Sequence, residues 1–304
     1  MIKFRFIKDI EEAHHLWDIF TSNITIYDDW DFRYCFYKYV NFELFFYVAY
    51  DDENPVGLLP LQNNIDIKNL EFFGGTYMED NQAFCKPGYE YIIPQLYKQI
   101  DIPAKLEYID GKDPFTTKLL IQDYKYVLPL ESIKNFEDYL QKYFDSETRG
   151  KFRRKIKNIQ KEKIYVEKNK LEDIEILFDL NIKRFGEKSA FSFPYTKDRF
   201  RDLLKMHWPI FLFSFHINGR LEGVSFAIEY KSTYEYFNFG VIADCHKDLR
   251  TYMHMKNIQT AIENKAKMFD AFSGDLGWKE LWHFQKIPQY KFTYPEDAPL
   301  LGSV

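Results

Sequence analysis

The stretch FLFSFHINGRLEGVSFAIEYKSTYEYFNFGVI, residues 211–242, sets the frame for the rest of the chain. FLFSFHI and GVSFAIEY read as strands joined at Asn218-Gly219. An Asn-Gly pair between apolar runs is a strong hairpin signal, because both residues accept positive φ. TYEYFNFGVI supplies a third strand. By alternation, Ser225, Ala227 and Glu229 share one face, and Glu235, Phe237 and Phe239 share another. A long helical pattern follows over residues 252–267, then the strand MFDAFSG. The order is therefore an antiparallel hairpin followed by a β-α-β crossover.

Upstream, residues 164–167 form a short strand. Residues 172–185 read as a helix with Leu171, Ile174, Leu177, Phe178 and Phe185 on one face, and residues 197–207 as a second helix. Downstream, GWKELWHFQKI (277–287) reads as a helix, followed by a tail containing YKFTY. The first half repeats this grammar. IKFRFI is a strand, IEEAHHLWDIF a helix, and residues 45–50 and VGLLPLQ form a hairpin around DDENP. NLEFFGG is a strand ending at Gly74-Gly75, residues 90–100 and 133–144 are helical, and 105–109 and 124–130 are strands. Each half reads β-α-(α)-β-β-β-α-β. The expected class is α/β (α+β), two tandem domains over 1–145 and 146–304, each a mixed, mostly antiparallel sheet flanked by helices.

Charge marks the same boundary. The chain has 304 residues and a formal net charge of −5, but residues 1–145 carry 14 basic and 25 acidic side chains. SETRGKFRRKIKNIQKEK, residues 146–163, carries 8 basic and 2 acidic. If helical, it sets Arg149, Arg153, Ile156 and Lys157 roughly along one face and spreads Lys151, Arg154, Lys155 and Lys161 around others, with Phe152, Ile156 and Ile159 as a docking stripe. Arginine forks suit phosphate oxygens, so the stretch is an anion site, or else a solvated helix that pairs with the acidic half. An acidic chain of pI ≈ 5.9 argues against DNA or long-range RNA binding. Cys35, Cys85 and Cys245 are far apart, without zinc spacing, so no metal and no disulfide frame is expected. With no export signal and no apolar run of membrane length, the expected location is cytoplasmic.

Four stretches together resemble the double-GNAT family, which includes Fem-type aminoacyltransferases and acetyltransferase-like proteins of polysaccharide clusters. They are YVAYDDENPVGLLPLQ (47–62), SETRGKFRRKIKNIQKEK (146–163), INGRLEGVSFAIEYKSTYEYFNFGVIADCH (217–246) and FDAFSGDLGWKELWHF (269–284). The last is similar to a Phe-Asp-x-x-x-Gly-Asp-x-x-x-Lys signature. The resemblance implies two GNAT-like domains, the first a structural, substrate-shaping partner and the second catalytic. It also implies acyl transfer to an amine, with acetyl-CoA or another acyl-CoA as co-substrate. The acceptor would be a small molecule, a nucleotide sugar or a cell-envelope precursor. Transfer from aminoacyl-tRNA and a non-catalytic binding role stand as alternatives.

By this resemblance Asp275 would accept the amine proton and Lys279 would stabilise transition-state charge, with Glu229 as a further base on the central hairpin. His246, Lys247, Arg250, Thr251 and Tyr252 occupy the loop that would hold the donor's phosphates. That loop, HKDLRTY, departs from the family pattern by lacking glycine, so the backbone approaches a phosphate less closely, and Lys247 and Arg250 supply charge instead. Arg149, Arg153, Arg154, Glu235, Asn238 and Trp278 are the expected substrate contacts. Asp275 also reads as a helix N-cap.

Overall fold

A computed structural model describes residues 1–275 and 277–295 and divides the chain into two compact units. The first comprises residues 1–125 and the chain from Lys286 on, and the second is Tyr126–Gln285. The division thus falls at 125/126 and 285/286 rather than at 145/146, and residues 296–304 lie outside the described residues. The reason is packing. Tyr126, Leu128, Tyr139, Leu140 and Phe144 share one core with Phe213, Ile258 and Phe269, so the segment before the basic stretch belongs to the second unit.

The first unit runs β1 (Ile2–Ile7), α1 (Ile10–Phe20), α2 (Trp30–Tyr37), β2 (Phe42–Asp51), β3 (Asn54–Asn64), β4 (Asn69–Phe72), β5 (Phe84–Cys85), α3 (Ile93–Tyr97) and β6 (Ala104–Asp110). β7 (Leu120–Pro129) leads out of it. α1 begins at Asp9, whose side chain accepts from the N–H groups of Glu11 and Glu12. β1, β2, β3 and β4 pair antiparallel in sequence order, with β5 on β3, and apolar cores cover both sheet faces. β4 meets β6 in parallel at a single pair, Leu70–Ala104. Beyond it the gap is filled. Asn81 bridges to the β6 backbone, its N–H donating to Tyr108 and its carbonyl accepting from Asp110. Arg33, fully buried, donates to the carbonyls of Tyr27 and Phe73 and to Asn81 Oδ1. Burial lowers this guanidinium to about 10.

The second unit runs α4 (Phe136–Tyr143), α5 (Ser146–Ile159), β8 (Ile164–Lys168), α6 (Ile174–Phe185), α7 (Pro194–Leu203), β9 (Ile210–Ile217), β10 (Arg220–Tyr230), β11 (Thr233–Val241), α8 (Leu249–Glu263) and β12 (Met268–Ser273). Strand order is β12-β11-β10-β9-β8, antiparallel except for β11 with β12. The β9–β10 turn has Asn218 at φ 51 and Gly219 at φ 82, as the Asn-Gly pair requires. α5 is the basic stretch. Asp145 caps it through Thr148 N–H at 2.7 Å, and Phe152, Ile156 and Ile159 dock on the core.

One expected helix does not form. Residues 277–287 make only a short turn at Glu280–Trp282, and the chain then enters β13 (Gln285–Tyr294), which pairs with β6 in the first unit. His283, at φ 58, stops the helix, and the alternation of Gln289, Lys291 and Thr293 with Tyr290, Phe292 and Tyr294 belongs to a strand.

Candidate functional site

The site grows out of the parallel pair in the second unit. β11 and β12 are in register at Thr233–Met268, Tyr234–Phe269 and Glu235–Asp270 only. Immediately beyond, β11 bulges. Phe226 pairs with Asn238 and Ile228 with Glu235, so Tyr236 and Phe237 stand against Ala227 alone. The bulge overturns simple alternation. Phe239 shares the α8 face with Tyr236, their rings parallel at 5.9 Å, whereas Phe237 meets Phe200 of α7 and Asn238 accepts from Asn181 of α6 at 3.2 Å. Gly240 lets α6 close on this strand, since a Cβ there would lie 2.8 Å from Leu180 Cβ.

Where the ladder has ended, a cavity of about 220 Å³ opens. Phe239 forms its floor on β11. Arg250, Thr251 and His254 come from the first turns of α8, Phe152 and Lys155 from α5, and Arg184 from the end of α6. Trp278, Leu281 and Trp282 come from the strap after β12. The walls are aromatic and the charged groups are all cations, with no carboxylate among the lining residues. Lys155, Arg184 and Arg250 are exposed at the rim, whereas His254 is buried. Its imidazole lies flat on Trp278 at 4.1 Å and edge-on to Phe239 at 4.8 Å. Burial first, and Arg250 second, lower His254 to about 3, so the ring is neutral at ordinary pH.

The strap is built by the Phe-Asp-x-x-x-Gly-Asp-x-x-x-Lys stretch. Asp275 Oδ1 accepts from the N–H groups of Gly277, Trp278 and Lys279 at 2.8, 3.1 and 3.2 Å, which makes it the cap of the turn. Lys279 is buried, with Nζ donating to the carbonyls of Phe272 at 2.9 Å and Ser273 at 2.8 Å and lying over the Tyr126 ring. Asp270 and Glu235, register partners on the last rung, are both buried.

The expected residues divide accordingly. Arg250, Thr251 and Trp278 meet at the cavity. None of Arg149, Arg153 or Arg154 lines it. Arg149 donates to the Phe144 carbonyl at 2.7 Å, Arg153 pairs with Glu137, and Arg154 is exposed. Lys155 is the member of the basic stretch that reaches the cavity, because it lies one turn from the docked Phe152 and Ile159. Glu229 lies at the far end of α8, where Oε2 accepts from Asn264 at 2.7 Å. His246 is used structurally, its N–H donating to Glu222 Oε2 at 2.7 Å and its Nδ1 accepting from Asp248 N–H at 3.2 Å. Lys247 is exposed, and Tyr252 packs beside Phe215. Arg184 and His254 were not among the expected residues. His254 had a readable signal, since it stands four residues after Arg250 and so on the same helix face.

The start of α8 is not an open anion cradle. Asp248, the N-cap residue, is buried there without a capping hydrogen bond from its side chain, so the helix start already holds a carboxylate that repels an anion. Any phosphate at this site would be held by the side chains of Lys155, Arg184 and Arg250. Elsewhere in the unit, among the described residues, Glu167, Asp173 and His216 bring three potential metal-ligand atoms within 4.8 Å, though Asp173 already accepts from Ser214 Oγ at 2.6 Å.

Residues 146–280 match the family model of the acetyltransferase (GNAT) domain. The structure of a tandem GNAT protein from the clavulanic acid biosynthesis pathway is similar over 96% of this chain and 98% of its own, with TM-score 0.57 and 9% identity. Residues 146–280 thus match a GNAT domain, and the chain has the fold of a tandem GNAT protein. Similar folds include FemX, with TM-score 0.60 and 10% identity over 96% of this chain and 97% of FemX. They also include L-PGS from Bacillus licheniformis, with TM-score 0.55 and 11% identity over 96% and 94%. No curated protein matches the chain in sequence. The chain carries the GNAT fold, and no described helix is long and apolar enough to cross a membrane.

Proposed function

We propose that this protein is a double-GNAT N-acyltransferase that moves an acyl group, acetyl in the first instance, from an acyl-CoA to an amine acceptor. The observation that carries this reading is the cavity at the parting of β11 and β12, walled by aromatics and rimmed by Lys155, Arg184 and Arg250 without a carboxylate. When bound, the donor supplies an activated carbonyl. The three rim cations hold its phosphates by charge-assisted hydrogen bonds. Trp278, Trp282, Phe152 and Phe239 exclude water along its arm. The amine forms the new amide bond as the bond from carbonyl carbon to sulfur breaks, and one amine proton must leave.

Asp275 is the carboxylate next to the cavity wall. Its Oδ1 caps the strap, and its second oxygen is our candidate acceptor for that proton. Lys279 acts by anchoring the strap to Phe272 and Ser273 rather than by touching the acyl group. The first unit acts as scaffold and shapes the acceptor.

A second reading has its own support. Asp248 at the start of α8 disfavours a phosphate held by the backbone there, so a donor whose phosphates are held by side chains, such as an aminoacyl-tRNA end, competes with CoA. A thermal-shift panel of acetyl-CoA, longer acyl-CoAs, a nucleotide sugar and a tRNA acceptor minihelix separates the two. Acetyl-CoA at a hundredfold excess over Kd should stabilise the protein by about 2.7 kcal/mol. Arg250→Ala should weaken that binding about 10- to 100-fold at unchanged melting temperature. A shift with the minihelix and none with any CoA would replace the acyl-CoA reading with the tRNA one.

A further inference from the structure

His254 is an unusual residue for a packed wall. It is 4% exposed, and its Nδ1 has no hydrogen-bond partner among the described residues. The Tyr236 hydroxyl, in the same aromatic box, is buried and also without a partner among the described residues. The two rings are perpendicular at 6.0 Å, and both lie against Trp278. Nine or more buried polar groups in ten find a partner, and each that does not costs about 1–3 kcal/mol. A leucine and a phenylalanine would fill these places without that cost. The cavity wall therefore holds an imidazole nitrogen, and the packing behind it a tyrosine hydroxyl, without a hydrogen-bond partner among the described residues.

The charge gradient says what would answer them. Cations stand at the rim, on three different helices: Lys155 on α5, Arg184 on α6 and Arg250 on α8. One turn further along α8 comes the imidazole, and no charged side chain lies beside it in the box, where its neighbours are Phe239, Tyr236, Trp278 and Trp282. Burial first, and Arg250 second, disfavour a further positive charge here, so the ring stays neutral. A ligand that follows this gradient is anionic at the rim and uncharged but hydrogen-bonding at depth. An amide has the matching pair of groups, an N–H for Nδ1 and a carbonyl for the tyrosine hydroxyl. Access requires Trp278 to slide from the imidazole. It directly follows Gly277, and Gly274 and Gly277, at φ +69 and +82, have nothing within 4 Å of either Cβ position.

We propose that His254, seconded by Tyr236, is the specificity-determining residue of the cavity and reads an amide in the uncharged arm of the donor. This rests on the donor reading given above, and the test keeps the two apart.

Binding of acetyl-CoA, which has the amide arm, and of adenosine 3′,5′-bisphosphate, which has the nucleoside and two phosphates but no arm, is measured by calorimetry on the full chain. The expected result is that His254→Leu weakens acetyl-CoA about 3- to 10-fold and leaves the bisphosphate unchanged. His254→Gln, which restores an acceptor, should recover part of the loss, and Arg250→Ala should weaken both ligands. His254→Leu should melt no lower than wild type, since it removes a buried unpartnered atom, whereas a purely structural histidine would lower the melting temperature. Acetyl-CoA binding in wild type with no effect of His254→Leu, or an equal loss for both ligands, overturns the inference. Failure of wild type to bind either ligand overturns the donor reading, and this inference with it.

Discussion

The two units meet the same geometric problem and answer it differently. Each has a parallel strand pair that separates after a short ladder, one rung at Leu70–Ala104 in the first unit and three rungs ending at Glu235–Asp270 in the second. In the first, the opening is stopped by Asn81, which continues the ladder onto β6, and by Arg33, whose guanidinium ties Tyr27, Phe73 and Asn81 together. Only about 10 Å³ remains near Asn81, roughly the room for one water. In the second, among the described residues, no bridge continues the β11–β12 ladder beyond its last rung. The opening is walled by aromatics from α5, β11, α8 and the strap and keeps about 220 Å³. A filled split makes a scaffold and an open one makes a site. The difference lies in what fills the opening, the Arg33 guanidinium from α2 with the Asn81 amide from the loop after β4 in one case, and Trp278 from the strap after β12 in the other.

The most forceful way to break this comparison is to remove the plug. Arg33→Met leaves three buried acceptors unanswered and should cost about 3–5 kcal/mol, with hydrogen exchange rising in residues 1–125 and little changed in Tyr126–Gln285. A loss below about 1 kcal/mol would mean that the first split does not depend on its guanidinium.

Acid probes the open split. His254 titrates at about 3 when folded, against an ordinary 6.5. Between those values the unfolded chain takes up a proton that the folded chain refuses. The contribution is therefore fully present above pH 6.5 and is lost as pH falls toward 3, by up to about 1.4 kcal/mol per pH unit. Relative to wild type, His254→Leu should gain about 2 kcal/mol between pH 7 and pH 5 in paired urea titrations. Parallel curves would show that the imidazole is not shut in as described.

The smallest effect sharpens the role of the strap. Asp275→Ala should cost about 1 kcal/mol by loss of the cap, while Asp275→Asn keeps an acceptor for the three N–H groups and should be nearly neutral in stability. If the second oxygen takes the amine proton, Asp275→Asn loses turnover about 100-fold or more at unchanged melting temperature. Unchanged turnover leaves Asp275 a cap alone.

Much of this was present in the chain's local chemistry. The Asn218-Gly219 turn, the period-two runs around it and the amphipathic 174–185 helix arise from backbone sterics and side-chain spacing within a few residues. Asp145 and Asp275 announce caps by type and position. The basic stretch was visible by composition, and its Phe152, Ile156 and Ile159 stripe showed which side would dock. Other features depend on partners distant in sequence. A one-residue bulge at Tyr236 and Phe237 carried Phe239 to the α8 face, and no local pattern encodes a bulge set by the β10 register. The docking angle of α5 brought Lys155, and not Arg149, Arg153 or Arg154, to the cavity. Residues 285–294 pair with β6, some 180 positions earlier, which turned an expected helix into a strand. Sequence determined the elements and the charge they carry, because propensity and pattern act over one or two turns. Tertiary structure alone decided which cations converge and which polar atoms stay unanswered, because those depend on burial shared by segments that meet only on folding.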